Sequence, residues 1–127
     1  MKMNISFAGE SKLFIKYKDF IIKTDQPIKY GGNDSYPDPF SLFISSIGAC
    51  VGYYILSFCH RRKISIEGIE LILETKNNEM MVEQIIIKIN TNVNFPEKYK
   101  KSIIRVANLC KVKKHLENPP LIDISFN

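Results

Sequence analysis

The sequence has 127 residues, of which 45% are hydrophobic and 24% charged, with only six glycines and six prolines. This composition excludes a disordered or low-complexity chain, and the length allows one hydrophobic core but not two. We therefore predict a single domain over residues 1–127. Three cysteines are too few for a disulfide scaffold, and an odd number cannot all pair within one chain. The N-terminus lacks the apolar stretch of a secretory signal. We expect a cytoplasmic protein with reduced thiols.

The net charge of +5 comes from one segment near the C-terminus. Residues 96–117 contain seven lysines and arginines against two glutamates, whereas the rest of the chain has eleven of each sign. Lys98, Lys101 and Arg105 would share one helical face and could follow a row of phosphates. No exposed aromatic residue lies among these lysines to stack on bases. We therefore interpret the segment as a solvated face and expect no nucleic-acid partner.

The N-terminal third of the sequence predicts strands followed by a loop. Hydrophobic residues alternate from Leu13 to Thr24, which predicts two strands that turn near Lys18 and Asp19, in a hairpin or a meander. Residues 25–39 combine three prolines with a Gly-Gly-Asn-Asp-Ser run. These residue types are typical of a loop.

Phe40 to Cys59 is a run of twenty residues without a charge, and it predicts a long helix. Asp38 can cap the start of this helix, and Pro39 is favourable in its first turn. The basic cluster 60–63 suits the negative end of the helix dipole. The run is long enough for a bilayer, but it contains serines and lies between predicted strands, so we expect no membrane. A helix that is apolar on every side must be covered on every side. We therefore expect a sheet or a second subunit around this helix, and a homodimer.

The remaining sequence predicts two strands, a helix and a last strand. Apolar and polar residues alternate over 66–75 and 82–93, with a turn at 76–79, which is typical of antiparallel strands with one solvated face. From Pro96 to Cys110 the apolar residues repeat every three or four positions, so we predict a helix on which Cys110 faces the core. Residues 121–126 alternate again and predict a final strand. The whole order predicts an α+β domain.

The cysteines are the obvious nucleophiles of this sequence. Cys50 lies in the middle of the long helix, where a cysteine by itself is most simply a small hydrophobic residue that would need a cation to become reactive. Cys59 lies on the opposite side of the same helix and is interpreted as structural. No spacing typical of a zinc site, phosphate loop or serine hydrolase is present. We expect no metal and no cofactor.

The segment Pro37–Cys50, PDPFSLFISSIGAC, resembles the osmotically inducible protein C and organic hydroperoxide resistance family (OsmC/Ohr). Cys110-Lys111-Val112 and the later Leu-Glu-Asn-Pro-Pro of residues 116–120 extend the resemblance. It implies an OsmC-like fold, in which antiparallel sheet wraps around a long buried central helix within an intertwined homodimer.

The same resemblance implies a function. Cys50 would be the peroxidatic thiol of a peroxidase that reduces organic hydroperoxides in oxidative-stress defence, Cys110 would be the resolving thiol, and a dithiol reductant would restore both. Two features depart from the family. Phe40 occupies the position of a glutamate, and no arginine precedes Arg61, so a charge from the N-terminal strands would come from a lysine: Lys12, Lys16, Lys18 or Lys23.

These departures leave open whether the protein is an enzyme. The alternative is a noncatalytic OsmC-like protein that binds a hydrophobic small molecule in an apolar pocket at the dimer interface.

Overall fold

The computed structural model describes residues 1–126. The chain divides into two compact units, Met1–Ser45 and the chain from Ser46 onward. Each unit is described by itself below.

The N-terminal unit contains a three-stranded antiparallel meander. Its strands are β1 (Asn4–Phe7), β2 (Leu13–Tyr17) and β3 (Phe20–Thr24), with β2 in the middle. Ile15 pairs with Ile5 on one side and with Ile22 on the other. The turn between β2 and β3 contains Lys18 with a φ of 53°. The two predicted strands and their turn are therefore confirmed, and β1 makes the sheet a meander.

The predicted loop after β3 is organised around the buried carboxylate of Asp25. Ser11 Oγ donates to Asp25 Oδ1 over 2.6 Å, and the backbone N–H of Gln26 donates to the same oxygen over 2.8 Å. The N–H groups of Asn33 and Ser35 donate to the other oxygen over 3.2 and 3.0 Å. These hydrogen bonds, first of all the one from Ser11, hold the pKa of Asp25 well below its ordinary value. One charged side chain thus fixes the course of this loop.

The long helix α1 extends over Pro39–Arg61 and begins as the sequence predicts. Asp38 Oδ1 accepts the backbone N–H groups of Phe40 and Ser41, each over 3.0 Å, so Asp38 satisfies two donors of the first turn. By length and composition α1 could cross a membrane, with a mean hydropathy of 1.8 over its most apolar stretch, of which 28% is buried.

Within one chain, α1 buries one stripe of side chains rather than its whole circumference. The buried residues on this stripe are Ile47, Val51, Ile55, Phe58 and Cys59. Tyr53, by contrast, is 65% exposed. A central helix covered on every side would therefore need a second copy of the chain.

Strands β4 (Glu70–Asn77) and β5 (Val82–Asn90) form a two-stranded antiparallel sheet, which confirms the predicted pair. The turn lies at residues 78–81, slightly later than predicted, and is closed by the N–H of Asn78 and the carbonyl of Met81. Two glycines of α1 let the helix approach β4. A Cβ on Gly48 or Gly52 would lie 3.4 Å from Leu73 Cδ1 or Leu71 Cδ1, respectively.

The predicted helix that begins at Pro96 is interrupted, and two helices occupy this part of the chain. After a 3₁₀ turn at Glu97–Tyr99, α2 covers Lys100–Ala107, and α3 covers Lys111–Glu117. The Asn108 side chain donates to the carbonyl of Ile104 at the end of α2. Cys110 has extended backbone angles (φ −45°, ψ 119°) and is the N-cap of α3. Its predicted burial is confirmed, but its predicted place within a helix was wrong.

The predicted last strand was also wrong for the isolated chain. Residues 121–126 form no strand in the structure, and Ile124 is 95% exposed. Alternating hydrophobic residues form a strand when a neighbouring strand edge accepts them, and within the described residues this segment pairs with none. The class remains as predicted: an α+β fold with antiparallel sheets and three helices.

Candidate functional site

Cys50 lies on the central turns of α1, beside the hydrophobic core of the unit that begins at Ser46. It is half-buried, next to buried Val51 and one turn after buried Ile47. Cys50 packs against the buried core cluster, as do Ile87 and Ile89 of β5 and Val112 of α3. Its side chain therefore adjoins the core and retains partial access to solvent.

Cys110 is fully buried in the same core. Its Sγ accepts the backbone N–H of Lys113 over 3.4 Å, which caps α3. Its Sγ also lies 4.0 Å from the carbonyl oxygen of Ile47, three residues before Cys50 on α1. The break between α2 and α3 thus brings this thiol against the turn of α1 that carries Cys50.

The two thiols are close enough to shift each other's pKa. Hydrogen bonding from the backbone N–H of Val112, the Cys110 thiol and the backbone N–H of Lys111 favours the charged form of Cys50 and lowers its pKa. Burial raises the pKa of Cys50, but these donors and the positive charge of Lys111 outweigh burial, so the pKa lies below its ordinary value. The cysteine in the middle of α1 is therefore the more acidic of the pair.

The other two thiols are less acidic than usual. Burial raises the pKa of Cys110, and the neighbouring Cys50 raises it further, against the opposing effect of the Lys113 N–H. Burial alone raises the pKa of Cys59. All three cysteines are free. The arrangement can therefore form a thiolate at Cys50 with a protonated thiol beside it.

The cation near Cys50 is Lys111, which the sequence analysis counted among the basic residues and within the family resemblance but did not predict as a partner of Cys50. A signal for it was available, because Lys111 directly follows Cys110. Any fold that brings Cys110 to Cys50 also brings the next backbone N–H groups and this lysine close.

Two of the four candidate lysines of the N-terminal unit, Lys12 and Lys23, have partners within that unit. Lys12 forms an ion pair with Glu10 over 2.5 Å, and the Lys23 ammonium lies over the rings of Phe14 and Tyr36. Phe40, at the position of the family glutamate, packs its ring 5.5 Å from the ring of Phe43. The carboxylate of Asp38, two residues earlier, caps α1.

An apolar cavity of about 410 Å³ lies beside the cysteine-bearing turn. Ile47 and Val51 of α1, isoleucines of β5, and Lys113 and Leu116 of α3 contribute to its wall. This volume is within the range of small-molecule pockets. Among residues 1–126, no group of three or more His, Cys, Asp and Glu side chains is placed to hold a metal ion.

Comparison with known proteins finds a family and a shared fold. The family model for OsmC-like protein matches residues 31–125. No curated protein matches the sequence significantly.

Three solved structures illustrate the shared fold. A Psychrobacter arcticus 273-4 protein, named for an osmotic stress induced and detoxification response, is 21% identical with a TM-score of 0.73, over 90% of this chain and 86% of that one. An OsmC-like protein from Mycoplasma pneumoniae is 16% identical with a TM-score of 0.66, over 93% and 87%. An organic hydroperoxide resistance protein OsmC from Legionella pneumophila is 18% identical with a TM-score of 0.54, over 91% and 89%. The TM-scores establish a common fold. Because the sequence identities are low, the chemistry must be inferred from the residues of the site.

Proposed function

Because the chain belongs to the OsmC-like protein family, we propose that it is a cytoplasmic thiol-dependent peroxidase that reduces organic hydroperoxides. Cys50 is the peroxidatic residue and Cys110 the resolving residue. The observation that carries this proposal is that Cys50 and Cys110 lie at one core, with the Cys110 sulfur 4.0 Å from the Ile47 carbonyl on the same turn of α1, and that the pKa of Cys50 is lowered while that of Cys110 is raised. The Legionella pneumophila protein of the same fold is named for organic hydroperoxide resistance.

In the first step, the Cys50 thiolate attacks the terminal oxygen of the hydroperoxide. The S–O bond forms, the O–O bond breaks, and the alkoxide leaves and takes up a proton to become an alcohol. Cys50 is oxidised to a sulfenic acid. The N–H groups of Lys111 and Val112, together with the Lys111 charge, lower the pKa of Cys50 and so favour the thiolate that makes this attack.

In the second step, the Cys110 sulfur attacks the sulfenic sulfur. The S–S bond forms, the S–O bond breaks, and hydroxide leaves with the proton of Cys110 as water. A dithiol then reduces the disulfide by exchange and restores both thiols. The raised pKa of Cys110 suits this order, because Cys110 stays protonated until Cys50 has been oxidised.

The apolar cavity lined by Ile47 and Val51, on the part of α1 that carries Cys50, supports a preference for organic over hydrogen peroxide. Isoleucines and Val51 form most of its wall, with Lys113 and Asn108 at the side of the C-terminal helices. An alkyl or aryl group gains free energy by leaving water for such a wall, and hydrogen peroxide has no such group.

The functional unit is an intertwined homodimer of one OsmC-like domain over residues 1–127. The single chain leaves many large hydrophobic side chains exposed, including Phe7 at 91% and Phe20 at 66% in the N-terminal sheet and Tyr53 on α1. Soluble proteins rarely expose so many apolar groups unless another surface covers them. A second copy supplies that cover, and α1 then becomes the wrapped central helix instead of a membrane span.

The decisive experiment adds one equivalent of cumene hydroperoxide to the reduced protein and follows the thiols by mass spectrometry with peptide mapping. We expect rapid loss of two hydrogens, mapped to Cys50 and Cys110. Cys50→Ser should abolish this rapid reaction, and Cys110→Ser should stop it at a sulfenic acid on Cys50 that dimedone traps.

Cys59→Ser is the matched control, because Cys59 lies in the same core on the same helix but outside the thiol pair. It should react like the wild-type protein once its folding has been checked by circular dichroism. Unchanged peroxide consumption in Cys50→Ser would contradict the proposal.

A second candidate function is noncatalytic binding of a hydrophobic small molecule. The apolar cavity of about 410 Å³ supports it. Native mass spectrometry of the purified protein and thermal shifts with a lipid and aromatic panel test it. A retained ligand together with slow, nonselective thiol oxidation would favour binding. If no ligand is retained and no compound of the panel shifts the melting temperature, this second function is excluded.

A further inference from the structure

A second cavity, of about 440 Å³, lies where α1 ends beside α2. Arg61 and Arg62 line it from the end of α1, and Arg105 lines it from α2. The remaining lining residues are Phe58, Ser102 and Val106. Three guanidinium groups, one hydroxyl and an apolar floor therefore share one concave surface. None of these residues belongs to the proposed peroxidase site.

Aromatic stacking positions one of the three guanidinium groups. The Arg62 Cζ lies 4.8 Å from the centre of the Phe58 ring and 5.7 Å from that of Tyr99. The two rings pack edge to face, with their centres 6.0 Å apart. Stacking uses the face of a guanidinium and leaves its N–H donors, which lie in its plane, free to bind a ligand. Arg62 is thereby ordered without losing its donors.

The other two arginines also keep donors available. Arg61 Nε donates to the carbonyl oxygen of Ser57 over 3.3 Å, which leaves the terminal nitrogens of its guanidinium. Arg105 is exposed on α2, and Ser102, one turn earlier, is half-buried.

No carboxylate neutralises this group of arginines. Across residues 1–126, each ion pair within 4.0 Å involves a lysine, and none involves Arg61, Arg62 or Arg105. The nearby Glu97 is paired with Lys100 over 2.7 Å. Three positive charges that converge on a concave surface without a counter-ion attract an anion of more than one charge.

We propose that this cavity binds a small organic diphosphate, such as a nucleoside diphosphate. The arginines and the Ser102 hydroxyl hold the phosphoryl oxygens, because a guanidinium binds phosphate through two parallel hydrogen bonds. The organic part lies against Val106 and the open face of Arg62. The three positive charges of the arginines match the multiple negative charges of a diphosphate better than the one charge of a carboxylate ligand. The cavity is of the size that small ligands occupy.

Isothermal titration calorimetry on the full chain, at low salt, tests this site with pyrophosphate and with ADP as probes. Both should bind, and adenosine should not. Arg62→Gln and Arg105→Gln should each raise the Kd for ADP at least about tenfold, since hydrogen bonds to charged groups are lost.

Lys101→Gln is the matched control, because Lys101 is an exposed residue of the same helix that does not line the cavity. It removes the same charge and should change the Kd for ADP less than about threefold, which is the weak effect of a screened surface charge. Circular dichroism confirms that each variant is folded.

Three results would each overturn the proposal. One is the absence of binding by both phosphate probes at millimolar concentration. Another is an equal loss of affinity in Lys101→Gln and Arg105→Gln, which would mean general attraction to a basic surface. The third is unchanged affinity in both arginine variants.

Discussion

At the scale of single residues, Lys111 is the side chain whose charge acts on the Cys50 thiolate. Its position differs from that expected of the family arginine, because it follows Cys110, the proposed resolving cysteine, instead of coming from the N-terminal strands. Two backbone N–H groups of the same segment also donate to the Cys50 sulfur. The lysine therefore adds to a stabilisation that the backbone already provides.

Replacing Lys111 should make Cys50 less acidic. In Lys111→Gln the positive charge is lost, so the pKa of Cys50 should rise and its alkylation by iodoacetamide near neutral pH should slow a few-fold. Lys111→Arg should keep the wild-type pH profile. The measurement is the rate of Cys50 alkylation against pH, by peptide mass spectrometry.

Lys114→Gln provides the control for this change, since it removes one positive charge from the same helix at an exposed position. Its profile should match the wild type. A Lys111→Gln profile that overlays the wild type would mean that the backbone donors alone hold the thiolate.

Asp25 predicts a pH dependence of stability. Its pKa in the folded protein lies well below its ordinary value of 3.8, so its contribution to stability is fully present above about pH 5 and is lost as the pH falls through 3.8 and below. Asp25→Asn places an NH₂ group among four donors. It should lower the Tm at pH 7 by about 5 °C or more, and by less at pH 3.

The matching control is Asp34→Asn, which makes the same charge change in the same loop at an exposed residue. Asp34 has a φ of 55°, which asparagine also tolerates. Thermal melts of both variants at pH 7 and pH 3 provide the comparison. A deficit for Asp25→Asn that is equally large at both pH values would contradict the linkage.

At the scale of elements, α1 has room only for small side chains where Gly48 and Gly52 face β4. Gly48→Ala should be neutral or stabilise by up to about 1 kcal/mol, because alanine favours the helix and its Cβ would make an ordinary contact with Leu73. Gly48→Leu should destabilise by about 1–3 kcal/mol, because its further atoms need the space that Leu73 occupies. Urea denaturation measures both, and equal stability of the two variants would contradict this packing.

The elements that the sequence predicted well are those with local signals. Asp38 and Pro39 mark the start of α1, and alternation marks the strands on either side of Lys18 and Asp19. The break at Asn108 was missed because the apolar spacing continues through it, from Ile103 to Cys110. Cys110 is nevertheless buried, since an N-cap between two helices can face the core as well as a helical residue can.

The candidate site was only partly predictable, because part of it depends on contacts between segments that are distant in the sequence. Family resemblance implied the pair Cys50 and Cys110, which the structure brings into contact. The donors from Lys111 and Val112 depend on how the start of α3 meets the middle of α1. Such a meeting of distant segments has no local signal, because it is decided by packing in the whole unit.

At the scale of the whole molecule, the strand that was predicted over residues 121–126 but is not formed in the single chain is an argument for the proposed dimer. Ile122, Ile124 and Phe126 alternate with polar residues as in a strand, yet they are 83%, 95% and 104% exposed in the single chain. A strand edge of a second copy would give these side chains a sheet to join. The exposed hydrophobic residues of the N-terminal sheet need the same second copy.

We therefore expect the full chain to be a dimer at micromolar concentration in size-exclusion chromatography with light scattering. A chain that ends at Pro120 should dissociate at a concentration at least about tenfold higher, because it loses apolar contacts and strand pairing with the partner. Met80→Glu is the control: Met80 is 93% exposed in the β4–β5 turn and lies outside both of these surfaces. A full chain that is monomeric at these concentrations would contradict the dimer. A truncated chain as firmly associated as the full one would place the contacts of the dimer elsewhere, on α1 and the N-terminal sheet.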